Sequence, residues 1–511
     1  MLNRHLGLRD FMCTIAALVL LLGAVGCAQK EEMVSAEQGA ASRAGSIPYT
    51  TESKVARTLC EEGEYLSDVG RNVQAREKFM AAVAEDPTFV RAHVDQANVA
   101  VSYMEFQSCL DMAEVNIDSV SEGERLMVEI NRTLLTNDTE QGVQLAIELV
   151  HTYSDSARAA VMLGNMQSAT GDNEAARDSY SRALEIEPDS PGALMGAAVS
   201  YLYRTPKDFA MAEECALKMT AAYPKEAKGY ELVGDIKRAQ NDLDGALEAY
   251  DLATETDPGL AQAQFKKGHV ISFLGSYGAA LDAFDAAIAV VEPETKATYA
   301  TYRAFTYLHA GDIDTALDLL DSVADEVEAM GTPVDQVKGQ QVFALTSEAT
   351  AALHAGRYDR AAEVIGRRNQ LQMEIADEVG TDDAHRLQKA DCRLWDGLLA
   401  AYMSDLDAAV EHAERIAVLV EGDDNPRKLE PHHYVMGMAY LKLGDFPKAA
   451  MHLRQADYEN DMFIRYHLAL AEEGAGQAEQ AATLFADVAG YNFNSVGFAL
   501  LRQEAMARTA G

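Results

Sequence analysis

The chain has 511 residues and carries 43 Lys and Arg against 81 Asp and Glu, a formal charge of −38. That balance excludes broad binding to nucleic-acid phosphates and charge-driven adsorption to anionic lipid, since both need a basic surface. A hydrophobic content of 48% excludes a disordered acidic chain, and scarce Pro (12 residues) favours helix.

Taken in chain order, the first feature is a leader. Arg4, His5 and Arg9 precede an apolar run from Phe11 to Val25. The run falls short of the ~20 residues that a membrane-spanning helix needs and has the form of a secretory signal. It closes in Ala24-Val25-Gly26-Cys27. This ending resembles the lipobox of bacterial lipoproteins. The resemblance implies that residues 1–26 are removed and that Cys27 becomes a lipidated N-terminus. With Ala28 next, it also implies the outer membrane facing the periplasm in a Gram-negative cell. An ordinary secretory leader with a coincidental cysteine is the plainer alternative. Residues 27–52 then read as the lipid site and a polar tether without an apolar stripe. Cys60, Cys109, Cys215 and Cys392 lie far apart and read as small core residues.

The body, 53–490, is repetitive. Residues 157–190 read ARAAVMLGNMQSATGDNEAARDSYSRALEIEPDS, with Gly164, Gly171, Ala176, Tyr180, Ala183 and Pro188 in a register that recurs at 227–260 and again from Gly268. This resembles the tetratricopeptide repeat, a 34-residue helix-turn-helix. The resemblance implies an all-α, right-handed superhelix, an α-solenoid of about twelve hairpins. A small residue in the first helix admits the second closely. Ala and an aromatic four positions later share one face of the second helix.

A turn residue followed five places later by Ala recurs at Gly70, Gly171, Gly275, Gly311, Gly356, Gly444 and Gly476, with Asn241 and Ser404 as substitutes. Lys207–Ala212, Met104–Cys109 and Asn137–Gly142 read as degenerate copies. Between about 313 and 421 the beat lengthens, which predicts longer helices, with a loop around Gly331-Thr332-Pro333 as the alternative. Residues 491–511 form a capping element, with a helix over 495–508 covering the last apolar face. SEGERLMV at 121–128 and YNFN at 491–494 add a similarity to bacterial repeat lipoproteins that carries no assigned activity.

Catalytic signatures are absent: no His-Glu-x-x-His, phosphate-binding Gly-rich loop, Gly-x-Ser-x-Gly or cysteine pair at metal spacing occurs. His432 and His433 point about 100° apart on a helix, which argues against chelation from one face. No cofactor, no metal and no catalytic residue is expected.

Inward positions of the assigned register carry Asn165, Tyr203, Phe265, His269, Phe273, Phe305 and His309, an aromatic-rich strip suited to an extended peptide or a helix. The expected function is a membrane-anchored, non-enzymatic scaffold for an exported protein or peptide partner. A receptor for a small ligand or glycan is the alternative. A Lys-and-Asn carboxylate clamp is not expected, because Val161 stands at the Lys place although Asn165 fits the other.

Overall fold

The computed structural model describes residues 46–509 except Asn137 and Asp424; the leader and Cys27 lie outside the described residues. Among these are 25 α-helices and no strand, and the first 24 pair successively into twelve hairpins. The chain is an all-α repeat array, as its periodicity predicts. It divides into two compact units, described residues 46–267 with 286–292, and 268–285 with 293–509.

In the N-terminal unit α1 (Lys54–Asp68) pairs with α2 (Asn72–Glu85), α3 (Val90–Asn98) with α4 (Tyr103–Glu114), and α5 (Glu122–Thr136) with α6 (Thr139–Thr152). Three further pairs follow: α7 (Ala157–Ala169) with α8 (Asn173–Ile186), α9 (Pro191–Tyr203) with α10 (Phe209–Ala222), and α11 (Ala227–Ala239) with α12 (Leu243–Thr256). The unit division falls inside α13 (Ala261–Phe273) and α14 (Tyr277–Val290).

The C-terminal unit continues with α15 (Pro293–His309) and α16 (Ile313–Glu326), then α17 (Val337–His354) and α18 (Tyr358–Val379). Next come α19 (Asp382–Tyr402) with α20 (Leu406–Leu419), α21 (Glu430–Lys442) with α22 (Phe446–Leu453), α23 (Met462–Gly474) with α24 (Ala478–Gly490), and the unpaired α25 (Val496–Thr509).

The turns explain the repeat register. All seven turn glycines of the five-residue interval adopt positive φ, as do Asn241 (63°) and Ser404 (62°), the two substitutes. A left-handed residue ends the first helix and reverses the chain, and glycine does so without a Cβ penalty. An Asp next to the turn then caps the second helix in several hairpins: Asp172, Asp242, Asp312, Asp405 and Asp445 each accept a main-chain N–H. The α3–α4 and α9–α10 connections lack a left-handed residue, and Ser102 and Asp208 cap their second helices instead, as Asp138 caps α6.

The glycine in the first helix is a socket for the aromatic of the second. A Cβ at Gly164 would lie 2.6 Å from the Tyr180 ring, and one at Gly63 would lie 2.6 Å from Phe79. Such contacts have no room for alanine, so the ring sets the interhelical distance. Where the beat lengthens, the residues enter α17, α18 and α19, of 18, 22 and 21 residues, and a turn-rich connection at 327–336 around Gly331.

Residues 46–52, the described part of the expected 27–52 tether, are docked on the body. Ile47 is buried, and the Thr50 main-chain N–H donates to Glu124 at 2.8 Å. The Tyr49 hydroxyl donates to Glu64 at 2.7 Å. Residues 46–52 therefore dock on α1 and α5, because an apolar side chain and two paired polar groups offset their ordering cost.

Candidate functional site

Inside the C-terminal unit, α13 and α15 place His269, Phe273, Tyr302 and His309 on neighbouring faces. The His269 ring meets Tyr302 edge-on at 5.3 Å, and Phe273 meets His309 edge-on at 5.5 Å. Phe305, expected on the same strip, turns away. It is 1% exposed, packs edge-on to Tyr302 at 5.1 Å, and belongs to the apolar core of its hairpin.

The strip is covered by this chain's own C-terminal segment. Phe498 of α25 is fully buried and stands edge-on to Phe273 at 5.3 Å and to His309 at 6.0 Å. Asn494, two residues ahead of α25, lies between the two imidazoles. Its amide Nδ2 donates to His269 Nδ1 at 2.8 Å, and its Oδ1 accepts from His309 Nε2 at 3.1 Å. One amide thus fixes a lone pair on one ring and a proton on the other.

Arg502 completes the seat. Its Nη1 donates to the Phe273 carbonyl at 2.9 Å, and its guanidinium lies 5.5 Å from the Phe273 ring centre and 5.7 Å from that of Phe498. Phe273 ends α13, so the guanidinium sits at the negative end of a helix dipole and satisfies one of its orphan carbonyls. No carboxylate pairs with Arg502 among the described residues. Burial lowers its pKa from the ordinary Arg value, and the helix end and two ring faces supply what an ion pair would. Burial likewise depresses His309 to about 4 despite its Asn494 bond, with Arg502 adding repulsion, so the imidazole is neutral near pH 7.

The far side of α25 packs on α23 and α24. A Cβ at Gly497 would meet Phe463 at 2.7 Å, and the Tyr466 hydroxyl donates to Glu504 at 2.6 Å. One helix therefore closes the last hairpin and fills the aromatic strip.

The other expected site residues lie in the N-terminal unit, in different chemistry. Asn165 is exposed and accepts from the Tyr180 hydroxyl at 2.9 Å. Phe265 is half-buried on α13. Tyr203, also half-buried, donates to Asp235 at 3.1 Å. Asp235 also accepts from Tyr250 at 2.7 Å, Arg238 at 3.2 Å and Lys266 at 2.5 Å. Lys266 reaches Glu231 as well, and Lys228 pairs with the same Glu231 at 3.0 Å. Burial raises the Asp235 pKa, but Lys266 and Arg238 outweigh it and hold the carboxyl near about 2.

Sequence reasoning missed Asn494, Phe498 and Arg502 as partners of the strip, and Glu231 and Lys266 as its ionic counterpart. Two cavities among the described residues, about 290 Å³ beside Leu163 and Ser179 and about 490 Å³ beside Gln141 and Thr170, include none of the strip residues.

Models of the tetratricopeptide repeat match residues 157–190, 297–322 and 431–455, which are α7–α8, α15 into α16, and α21–α22. Solved structures with a similar chain path include one titled "MamA RS-1 ArsTM double mutant", at 18% identity over 33% of this chain and 93% of that one, with a TM-score of 0.29. A tetratricopeptide repeat protein from Parabacteroides merdae is 13% identical over 57% of this chain and 98% of its own, at 0.34. YrrB, titled a TPR protein with an unusual peptide-binding site, is 21% identical over 35% and 91%, at 0.27. No curated protein matches the sequence. The repeat is thus matched at three places and its hairpin recurs along the chain, so the chain carries tetratricopeptide repeats within an all-α repeat array.

Proposed function

We propose that the protein is a non-enzymatic scaffold, anchored in a bacterial envelope membrane through lipid on Cys27, that holds an exported protein or peptide partner. The observation that carries this reading is the seating of α25. The strip formed by His269, Phe273 and His309 grips a helix through an aromatic anchor, a guanidinium on a helix end and an amide bridging two imidazoles. A surface that holds one amphipathic helix in this way has the chemistry to hold another. The partner segment of this proposal is a helix with an aromatic and an Arg four residues apart, the spacing of Phe498 and Arg502.

The test uses the full lipidated chain and a variant with Phe498→Ala and Arg502→Ala, which loosens the resident helix. A labelled peptide of residues 491–509 is expected to bind the variant at least tenfold more tightly than the unaltered chain. Photocrosslinkers placed in cells at Tyr203 and at Tyr302 are expected to capture one partner in near-stoichiometric amount, the latter more in the variant. Peptide binding without any defined crosslinked partner would leave the strip an internal seat and sink the scaffold reading. Cys27→Ser is expected to release the protein from the membrane fraction, and retention there would remove the anchor.

A further inference from the structure

A cluster outside the strip has ligand chemistry of its own. His432 and His433 lie in the first turn of α21, and His452 lies near the end of α22, the facing helix of the same hairpin. One ring nitrogen from each of the three lies within 4.8 Å of the others. His433 Nδ1 and His452 Nδ1 are 3.0 Å apart, and the ring centres of His432 and His433 are 5.0 Å apart. The 100° between successive helical positions does not keep these rings apart, because His452 enters from the opposite helix and meets both.

His432 Nδ1 is 2.8 Å from the carbonyl of Ala413. A carbonyl only accepts, so Nδ1 carries the proton, and Nε2 is the nitrogen that His432 has left to offer as a lone pair. This is the outer bond by which proteins orient a metal-binding imidazole. Tyr440 stacks on His452 at 5.6 Å and 25°, which limits the rotation of that ring. All three histidines are half-buried, so solvent and an ion have access.

We propose that His432, His433 and His452 form a site for one divalent transition-metal ion, with Zn²⁺ as its natural occupant and a water-accessible fourth position. A tetrahedral site with Zn–N bonds of ~2.0–2.1 Å spaces its nitrogens by ~3.3 Å. The His433–His452 pair, an N–H···N contact of 3.0 Å, stands close to that spacing and opens to it when the ion replaces the shared proton, and a side-chain rotation of His432 closes the rest. Three imidazoles without a carboxylate select Zn²⁺, Cu²⁺, Ni²⁺ or Co²⁺ over Ca²⁺ and Mg²⁺.

The other cluster of potential ligands, Cys60, Glu64 and Asp95, is different in kind. Its carboxylates are taken by Arg91, at 2.8 Å from Glu64 and 2.7 Å from Asp95, and by Arg158, at 3.2 Å from Glu64. Burial also pushes the Cys60 thiol up, away from the thiolate that a metal needs. That group is an ion-pair core.

The experiment is a titration of the full mature chain, metal-stripped and without a histidine tag, with Zn²⁺ by calorimetry and with Co²⁺ by visible absorption. One saturable site per chain is expected, with the intense visible band of tetrahedral Co²⁺. His433→Gln and His452→Gln are each expected to weaken binding at least tenfold, and His385→Gln to leave it unchanged. Absence of a saturable site on the unaltered chain overturns the proposal without any variant. So does binding that survives in both His433→Gln and His452→Gln, which would put the ion elsewhere.

Discussion

The two units, built from the same kind of hairpin, bury opposite chemistry. In the N-terminal unit, Glu231, Asp235, Lys266, Lys228 and Arg238 form a buried ionic lattice braced by Tyr203 and Tyr250. In the C-terminal unit, the seat of α25 holds rings, and its cation, Arg502, rests on a helix end and aromatic faces. The repeat constrains the socket glycine, the facing Ala and the ring between helices. It leaves the inward positions free, so two units of one fold present different surfaces. Buried ions depend on every partner being present, whereas rings tolerate apolar replacement.

The largest expected effect comes from breaking the ionic side. Asp235→Ala strips the shared acceptor from two cations and two tyrosines. It is expected to cost about 3–5 kcal/mol in urea unfolding, since removing one partner leaves charge buried and uncompensated. A loss below about 1 kcal/mol would show that the lattice is wet and the contrast between units superficial.

The C-terminal unit is expected to respond to acid instead. His309 is buried and titrates near about 4, against an ordinary value near 6.5. Between those values the unfolded chain binds the extra proton and the folded one does not. Stability is therefore full above pH 6.5 and falls as pH drops toward 4, by about 3 kcal/mol for this group alone. His467, pushed by burial to about 3, adds to the same slope. Urea midpoints at pH 7, 6, 5 and 4.5 are expected to decline, and His309→Gln to flatten the decline without abolishing it.

Arg502 sharpens the comparison further. Arg502→Met keeps the volume over Phe273 and removes a desolvated charge, so it is expected to change stability by less than about 1.5 kcal/mol. A Met variant as damaging as Asp235→Ala would mean that this cation is held as tightly as those of the N-terminal unit.

The smallest expected effect lies in the turns. Ser404→Gly removes left-handed strain at φ 62° and is expected to stabilise by about 0.5–1 kcal/mol. Asn241→Gly is expected to gain less, because Asn tolerates that conformation better. Equal gains from the two would remove any distinction between these turns.

Much of the architecture is legible in the sequence because it is local. A turn residue five places before an Ala marks a reversal, and Asn241 and Ser404 keep the left-handed φ even without glycine. The socket rule that pairs Gly164 with Tyr180 spans one hairpin and so repeats visibly. The site is less legible because it is made at a distance. His309 meets Asn494 across 185 positions, and Arg502 meets Phe273 across 229, and no period carries such information. The repeat register points Phe305 inward, but its ring goes to the hairpin core. The meeting of His452 with His432 and His433 depends on how two helix faces oppose, which spacing along one helix does not reveal.

The docking of Ile47, Tyr49 and Thr50 has a consequence for reach. If Cys27 carries the proposed lipid, only about 19 residues separate it from the docked segment, a fully stretched leash of at most ~65 Å. The repeat array then samples a shallow shell above its own leaflet rather than the whole compartment. A partner anchored in that membrane would meet it at a raised effective concentration, so even a modest intrinsic affinity would yield a long-lived pair.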